Sequence, residues 1–343
     1  MKSAVALTLW ALLFINVSVQ ASQKLMDPQI TSAPGFEGWY TKIDTKSRSI
    51  VLIVGTKFRR YANSPSSLGM VTLITREGTN PAKQYNYFTE DVSVGAPTDR
   101  YLWKTNDHSI LFSSDEINVN HPNFPRFKVH ISKHKPWKQG SPFGPEGLMA
   151  HNPILYSHWF VFSMDSNAEL TLYQEDKKTR EFGFAHLEKN WGEGFPDSWV
   201  WSQGRSHDNT TSFAFAGGRA PTRIGLPLNV WALSIKDHGN EFIFSPMISK
   251  LNAKITTDCK SFYHFESQNL REKVSLRIAS DPNDFLPIYG VKDQDWEQVA
   301  KESFHSKADL KLYRHGKLKI AKTIPFTAME FGGNCKPNAR EAS

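Results

Sequence analysis

The sequence predicts an all-β fold built as sandwiches or barrels, and three observations carry that prediction. Apolar and polar residues alternate with period two through many short segments, and turn-forming residues separate those segments. Aromatic side chains are abundant: 23 Phe, 10 Tyr and 10 Trp, or 13% of 343 residues. Period-two alternation sends successive side chains to opposite faces of a strand, so one face can pack while the other meets water. Aromatic residues favour pleated surfaces and line apolar cavities. Charged residues at 22% and hydrophobic ones at 39% exclude a disordered or fibrous chain. The length allows one large or two medium domains, with a core that needs no dense disulfide or metal staple.

In chain order, Lys2, the apolar run 4–17 and the small residues around Val19-Gln20-Ala21 read as a secretory signal peptide cut after Ala21. The run is short for a membrane span, and an uncleaved anchor is the alternative. The expected location is therefore the secretory pathway or the extracellular space. Strands are expected over 49–57, 70–76, 84–89, 127–132, 159–164, 169–174, 212–216, 230–235, 241–245, 261–266, 273–278 and 309–313. Turn chemistry at Asp165-Ser166-Asn167, Asp237-His238-Gly239-Asn240 and Arg314-His315-Gly316-Lys317 separates them. One short helix is expected over 293–303, with Asp293 or Asp295 as its N-cap.

The Pro- and Gly-rich stretch from His134 to Pro145 breaks the pattern. It reads as the seam between an N-terminal β domain (22–145) and a C-terminal one (146–335) with a tail (336–343), or else as a lid or long loop. Each half holds enough strands for a barrel with room for a ligand.

In an oxidising compartment the two cysteines, Cys259 and Cys335, are expected to pair, with two free buried thiols as the alternative. Asn209-Thr210-Thr211 is a glycosylation sequon in a polar, loop-like context. The net charge of +7 is scattered rather than grouped, which argues against nucleic-acid binding and leaves peripheral contact with anionic lipid open. The twelve histidines show no metal-ligand spacing, so no metal site is expected. No Gly-x-Ser-x-Gly motif or phosphate loop appears, which argues against a hydrolase or nucleotide enzyme. Oligomeric state is not legible.

The densest cluster of chemistry-bearing residues runs from Glu188 to Gln203. Trp199, Trp201 and Gln203 alternate and so share one strand face, which suits the wall of a pocket for a large apolar ligand with a polar head. The pattern Glu188-Lys189-Asn190-Trp191-Gly192, Phe195-Pro196, Trp199, Trp201 and Gln203 resembles the signature of the tocopherol cyclase family. Further stretches agree in order: Gly35-Phe36-Glu37-Gly38-Trp39-Tyr40, Gly144-Pro145, His158-Trp159, Glu302-Ser303-Phe304 and Ala328-Met329-Glu330-Phe331-Gly332-Gly333. The resemblance spans roughly residues 35–333.

It implies two lipocalin-like antiparallel β-barrels, an architecture shared with carotenoid hydratase-like and Diels–Alderase-like proteins. It also implies a cofactor-free reaction: an acid protonates the prenyl double bond nearest a hydroquinone ring, and the phenol oxygen traps the cation as a chromanol. The partner is then a hydrophobic prenylated small molecule. That family's plant activity is plastidial, whereas this N-terminus reads as secretory.

The reaction needs a carboxylic acid kept protonated by desolvation and aromatic faces around a cation. Glu188 is the first choice of donor, Asp197 the second and Glu37 the third. Asn190 and Gln203 are candidates to hold the quinol oxygens, and Trp39, Tyr40, Trp159, Trp191, Trp199 and Trp201 to line the cavity. Each has a structural rival: an ion pair for Glu188, a turn for Asn190 and Asp197, plain core for the tryptophans. Two other functions stay open beside the enzyme, a secreted carrier of hydrophobic small molecules and a glycan-binding protein using exposed Trp.

Overall fold

The computed structural model describes residues 25–30, 34–61, 64–95, 100–137, 144–151, 154–174, 177–246, 253–292 and 295–337. The expected signal peptide (1–21), Asp293, the middle of the expected seam (138–143) and most of the tail lie outside them. The fold is all-β. Each alternating segment named above falls on a strand, within a residue at its ends.

The first sheet holds β1 (Gly35–Thr45), β2 (Arg48–Tyr61), β3 (Ser64–Glu77), β4 (Lys83–Thr89), β5 (Val92–Val94), β6 (Trp103–Thr105), β7 (Ile110–Phe112), β8 (Glu116–Val119), β9 (Phe127–Ser132), β10 (Ser157–Gln174) and β11 (Lys177–Gly192). Its order is β4-β3-β2-β1-β11-β10-β9-β8-β7-β6-β5. Val92 of β5 packs onto Gly69 of β3, so the ends of the sheet meet and the barrel nearly closes.

The second sheet holds β12 (Ser198–Arg205), β13 (Thr211–Ala220), β14 (Leu228–Asp237), β15 (Asn240–Phe244), β16 (Lys254–Thr257), β17 (Phe262–Gln268), β18 (Glu272–Ala279), β19 (Phe285–Lys292), β20 (Asp295–Arg314) and β21 (Lys317–Gly333). Its order is β15-β14-β13-β12-β21-β20-β18-β17-β16, with β19 paired to β20 off that path. All pairings are antiparallel among the described residues. Type I′-like tips at His238-Gly239 and His315-Gly316, with positive φ at all four residues, close the hairpins β14–β15 and β20–β21.

Both barrels are filled by side chains. Trp39, Leu52, Leu73, Phe112, Phe127 and Leu187 pack inside the first. Phe213, Phe215, Tyr263, Phe265, Leu276 and Leu310 pack inside the second. Each such side chain contributes about 1.5–3 kcal/mol by leaving water. The room for a ligand expected inside a barrel lies instead between the two.

Three further expectations are corrected. The change of sheet falls between Gly192 and Ser198, not at residue 145, because β10 and β11 pair back into the first sheet against β9 and β1. Asp165-Ser166-Asn167 is not a turn: β10 runs through it with an irregular register at Ser163 and Ser166. Residues 295–303 are not helical but form the first half of β20, held between β19 and β21. The helix propensity of Glu297, Gln298, Ala300 and Lys301 yields there to two ladders of backbone hydrogen bonds and to burial of Trp296, Ala300 and Phe304.

The cysteines are joined, with Cα atoms 5.9 Å apart and a separation of 76 positions in sequence. The bond ties the turn before β17 to the end of β21, and chain entropy gives it about 4.5 kcal/mol. Asn209 sits at positive φ in the β12–β13 turn, partly exposed, and Thr211 is buried with its hydroxyl donating to Asp237. Among the described residues no helix is long and apolar enough to cross a membrane. Nor do three or more His, Cys, Asp or Glu side chains converge as a metal site.

Candidate active site

The site forms where the outer faces of the barrels meet. Along β1 and β11, Trp39, Leu187 and Trp191 turn into the first barrel, so Tyr40, Glu188 and Asn190 turn out. Along β12, Val200 turns into the second barrel, so Trp199 and Trp201 point at the first. Register then assembles two cross-strand rows. Tyr40 lies opposite Glu188 in one sheet. In the other, Trp201 lies opposite Glu330, and Glu330 opposite Glu302.

The rows bond across the seam. Tyr40 donates its hydroxyl to Glu302 Oε1 at 2.8 Å. Trp201 Nε1 donates to Glu188 Oε2 at 3.1 Å, and His186 Nε2 lies 3.0 Å from the same oxygen. Within the second sheet, Trp199 Nε1 donates to Glu330 Oε1. The closing Gly-Gly pair makes this fit: a Cβ on Gly332 would fall 1.9 Å from the Trp199 ring, and Gly333 turns at φ 60° beside the Asp197 carbonyl.

A cavity of about 450 Å³ opens between the rows. Phe36, Tyr40, Phe195, Trp199, Trp201 and Trp231 supply aromatic wall, and Glu188, Glu302 and Glu330 supply acid. Tyr40 stands edge-on to Trp201 with centroids 5.1 Å apart, and Phe195 stacks on Trp199 at 5.4 Å. Burial pushes the Glu330 carboxyl up to about 7 against the pull of the Trp199 bond, with the Glu188 charge adding to the rise. Burial and the neighbouring Glu330 hold Glu302 well above the usual carboxylate range, against the Tyr40 bond. Lys42, whose charge acts on Glu302 in the other direction, is itself bound to Asp44. Burial also raises the Tyr40 hydroxyl, so it stays a neutral donor.

The chain matches the tocopherol cyclase-like family model over residues 120–333, more than half its length. The chain belongs to the tocopherol cyclase-like family. No curated protein sequence matches it. Among solved structures it is similar to CghA, at 10% identity and a TM-score of 0.51, over 90% of this chain and 91% of that one. It is also similar to kievitone hydratase from Nectria haematococca, at 12% identity and a TM-score of 0.49, over 91% and 92%. The CghA likeness bears on the fold, which is the tandem lipocalin-like β-barrel. Family membership points to catalytic activity of the cyclase type.

In this tocopherol cyclase-like chain the sequence candidates separate. Glu188, Tyr40, Trp159, Asn190, Trp199 and Trp201 line the cavity. Trp39 borders it but packs in the first barrel's core, with Nε1 bound to the Met26 carbonyl at 3.1 Å. Trp191 is in that core too, stacked on His158 at 5.1 Å. Gln203 is buried and is not among the residues that line the cavity. Asp197 is exposed on the turn before β12 and is no buried acid. Glu37 is buried on the far face of β1, paired with Lys189 and accepting from Gln29 N at 2.8 Å. Its fully enclosed position removes it as donor to the cavity.

Two cavity carboxyls, Glu302 and Glu330, were not chosen from the sequence, although both sit in motifs that carry the family resemblance. The signal was a lone acid in an apolar strand, as in Ala328-Met329-Glu330-Phe331.

Proposed function

We propose that the chain catalyses acid-driven cyclisation of a prenylated hydroquinone, or a related prenyl or polyene lipid, to a chromanol-type ring. One observation carries this reading: Glu188, Glu302 and Glu330 share an aromatic-walled cavity, with Glu146 on its wall bound to His158, and burial holds Glu330 protonated to about pH 7. Glu330 gives its proton to the double bond nearest the ring. The tertiary cation is stabilised by the faces of Tyr40, Trp199 and Trp201. The phenol oxygen closes on it, and its proton passes to Glu188, so one C–H and one C–O bond form as one O–H bond and the C=C π bond are lost. The reaction is a net isomerisation, and a proton moved within the cluster restores Glu330. Asn190 and Trp159 Nε1, a buried donor on the cavity wall, are suited to orient the quinol oxygens. The disulfide supports action in the secretory pathway or outside the cell.

The test is incubation of purified protein with a prenylated benzoquinol and detection of chromanol by mass spectrometry. Turnover that is lost in Glu330→Gln supports the reading. Tight binding of the quinol without turnover would replace it with a carrier function.

A further inference from the structure

The cavity has an identifiable mouth. Of its lining residues, Leu228 and Asn229 at the start of β14 are exposed to solvent, while the others are buried or half-buried. The loop that leads into Leu228 from Ala220, also a lining residue, carries Ile224 and Leu226 at 64% and 65% exposure. Leu228 itself is 42% exposed and Ile154, beside the loop, 37%. Four of the large apolar side chains most open to water thus gather on one rim, where isolated ones would be unremarkable on a surface.

The loop is braced rather than loose. Thr222 Oγ1 donates to the Leu226 carbonyl at 2.7 Å, and Gly225 N to the Thr222 carbonyl at 2.9 Å. Gly225 adopts φ 77°, which turns the tip. Arg223 N donates to the Ile154 carbonyl at 2.9 Å, and Leu155 bridges Thr222, so the rim is one unit. Its apolar tip therefore costs little ordering entropy when it leaves water.

We propose that this rim is a membrane-docking surface, which inserts Ile224 and Leu226 into the outer part of an anionic bilayer and sets the cavity mouth against the lipid. Leu228 then forms a continuous apolar step from bilayer to cavity. The surrounding chemistry fits an interface: exposed Arg219 flanks the tip, half-exposed Arg223 beside it is paired with Glu193 and lies 5.4 Å from the Tyr156 ring, and the chain carries +7. The partner is a lipid surface and not a protein, because a stable protein interface buries roughly 800 Å² on each side and a single loop tip does not supply that.

The test is co-sedimentation of the purified chain with phosphatidylcholine vesicles, with and without phosphatidylserine. The expected result is binding that rises with phosphatidylserine and falls at least about tenfold in the double variant Ile224→Ser, Leu226→Ser. Leu270→Ser, which removes an 89% exposed side chain on another turn, should leave binding unchanged. Failure of the unaltered chain to sediment, equal binding by the double variant, or an equal loss in Leu270→Ser would each overturn the proposal. The assay needs no turnover, and Glu330→Gln should still bind vesicles, so its failure is distinct from failure of the cyclase reading.

Discussion

Two buried acid sites sit back to back on the strand pair β1–β11, and they are built in opposite ways. On the inner face, Glu37 is matched by the Lys189 ammonium, which also donates to the carbonyls of Leu25 and Asp27. On the outer face, Glu188, Glu302 and Glu330 gather with hydrogen-bond donors, and among the described residues no Lys or Arg is bound to them. Burial opposes charge at both places: it raises Glu37 and lowers Lys189 to about 8, against their mutual attraction. The inner pair satisfies its charge and pins the segment before β1 to the barrel. In the outer cluster Glu302 and Glu330 are instead favoured in the protonated form, which is the state a proton donor needs.

The largest effect should come from Glu330→Gln. The amide keeps shape and the Trp199 acceptor but cannot deliver a proton, so chromanol formation should fall about 10³-fold or more while thermal unfolding below about pH 4.5, where Glu330 is protonated folded and unfolded, barely moves. A retained rate would shift the donor to Glu302 or Glu188. Next is Lys189→Met, which strands the Glu37 charge and should cost about 3–5 kcal/mol in denaturant unfolding. A cost below 1 kcal/mol would erase the contrast between the two faces.

The pH dependence separates them further. Glu330 holds its proton more tightly folded, at about 7, than the ordinary 4.5 of the unfolded chain. The folded state therefore binds more protons in that window, and the contribution of Glu330 to stability is present below about pH 4.5 and lost as pH rises to about 7. Glu302 acts in the same direction. Activity should fall above about pH 7 as the donor ionises. Stability curves for the unaltered chain and Glu330→Gln would show this as a shallower slope in the variant; parallel curves would refute it.

Much of this contrast was hidden in the sequence for a definable reason. Alternation exposed the strands, and the expected secretory route made the Cys259–Cys335 bond readable. The Trp-rich run from Glu188 marked the right segment, because β11, the turn and β12 cross from one sheet to the other within it. Face assignment was not legible: Trp39 and Tyr40 are neighbours in sequence yet point to different compartments, and only register decides which. Tyr40 and Glu302 are 262 residues apart and meet through the packing of two sheets, which no local spacing encodes. The helix expected over 293–303 failed likewise: β19 lies just before it in sequence, but the stretch of β21 that pairs with residues 300–303 lies outside any local window.

The smallest predicted effect tests whether the outer cluster also serves as an anchor. Tyr40→Phe removes one hydroxyl that donates to Glu302 and leaves the ring against Trp201 in place. If Glu302 carries its own proton, losing that donor leaves no stranded charge, and the cost should stay near the ordinary worth of one hydrogen bond, about 0.5–1.5 kcal/mol. The same change should raise the Glu302 carboxyl further, since the Tyr40 bond is what now lowers it. Turnover should fall less than about tenfold, because Glu330 and the aromatic faces remain. Chemical denaturation and the chromanol assay on one preparation check both numbers. A loss as large as that of Lys189→Met would mean that Glu302 is a buried anion held by Tyr40, and the outer face would then be a structural site like the inner one.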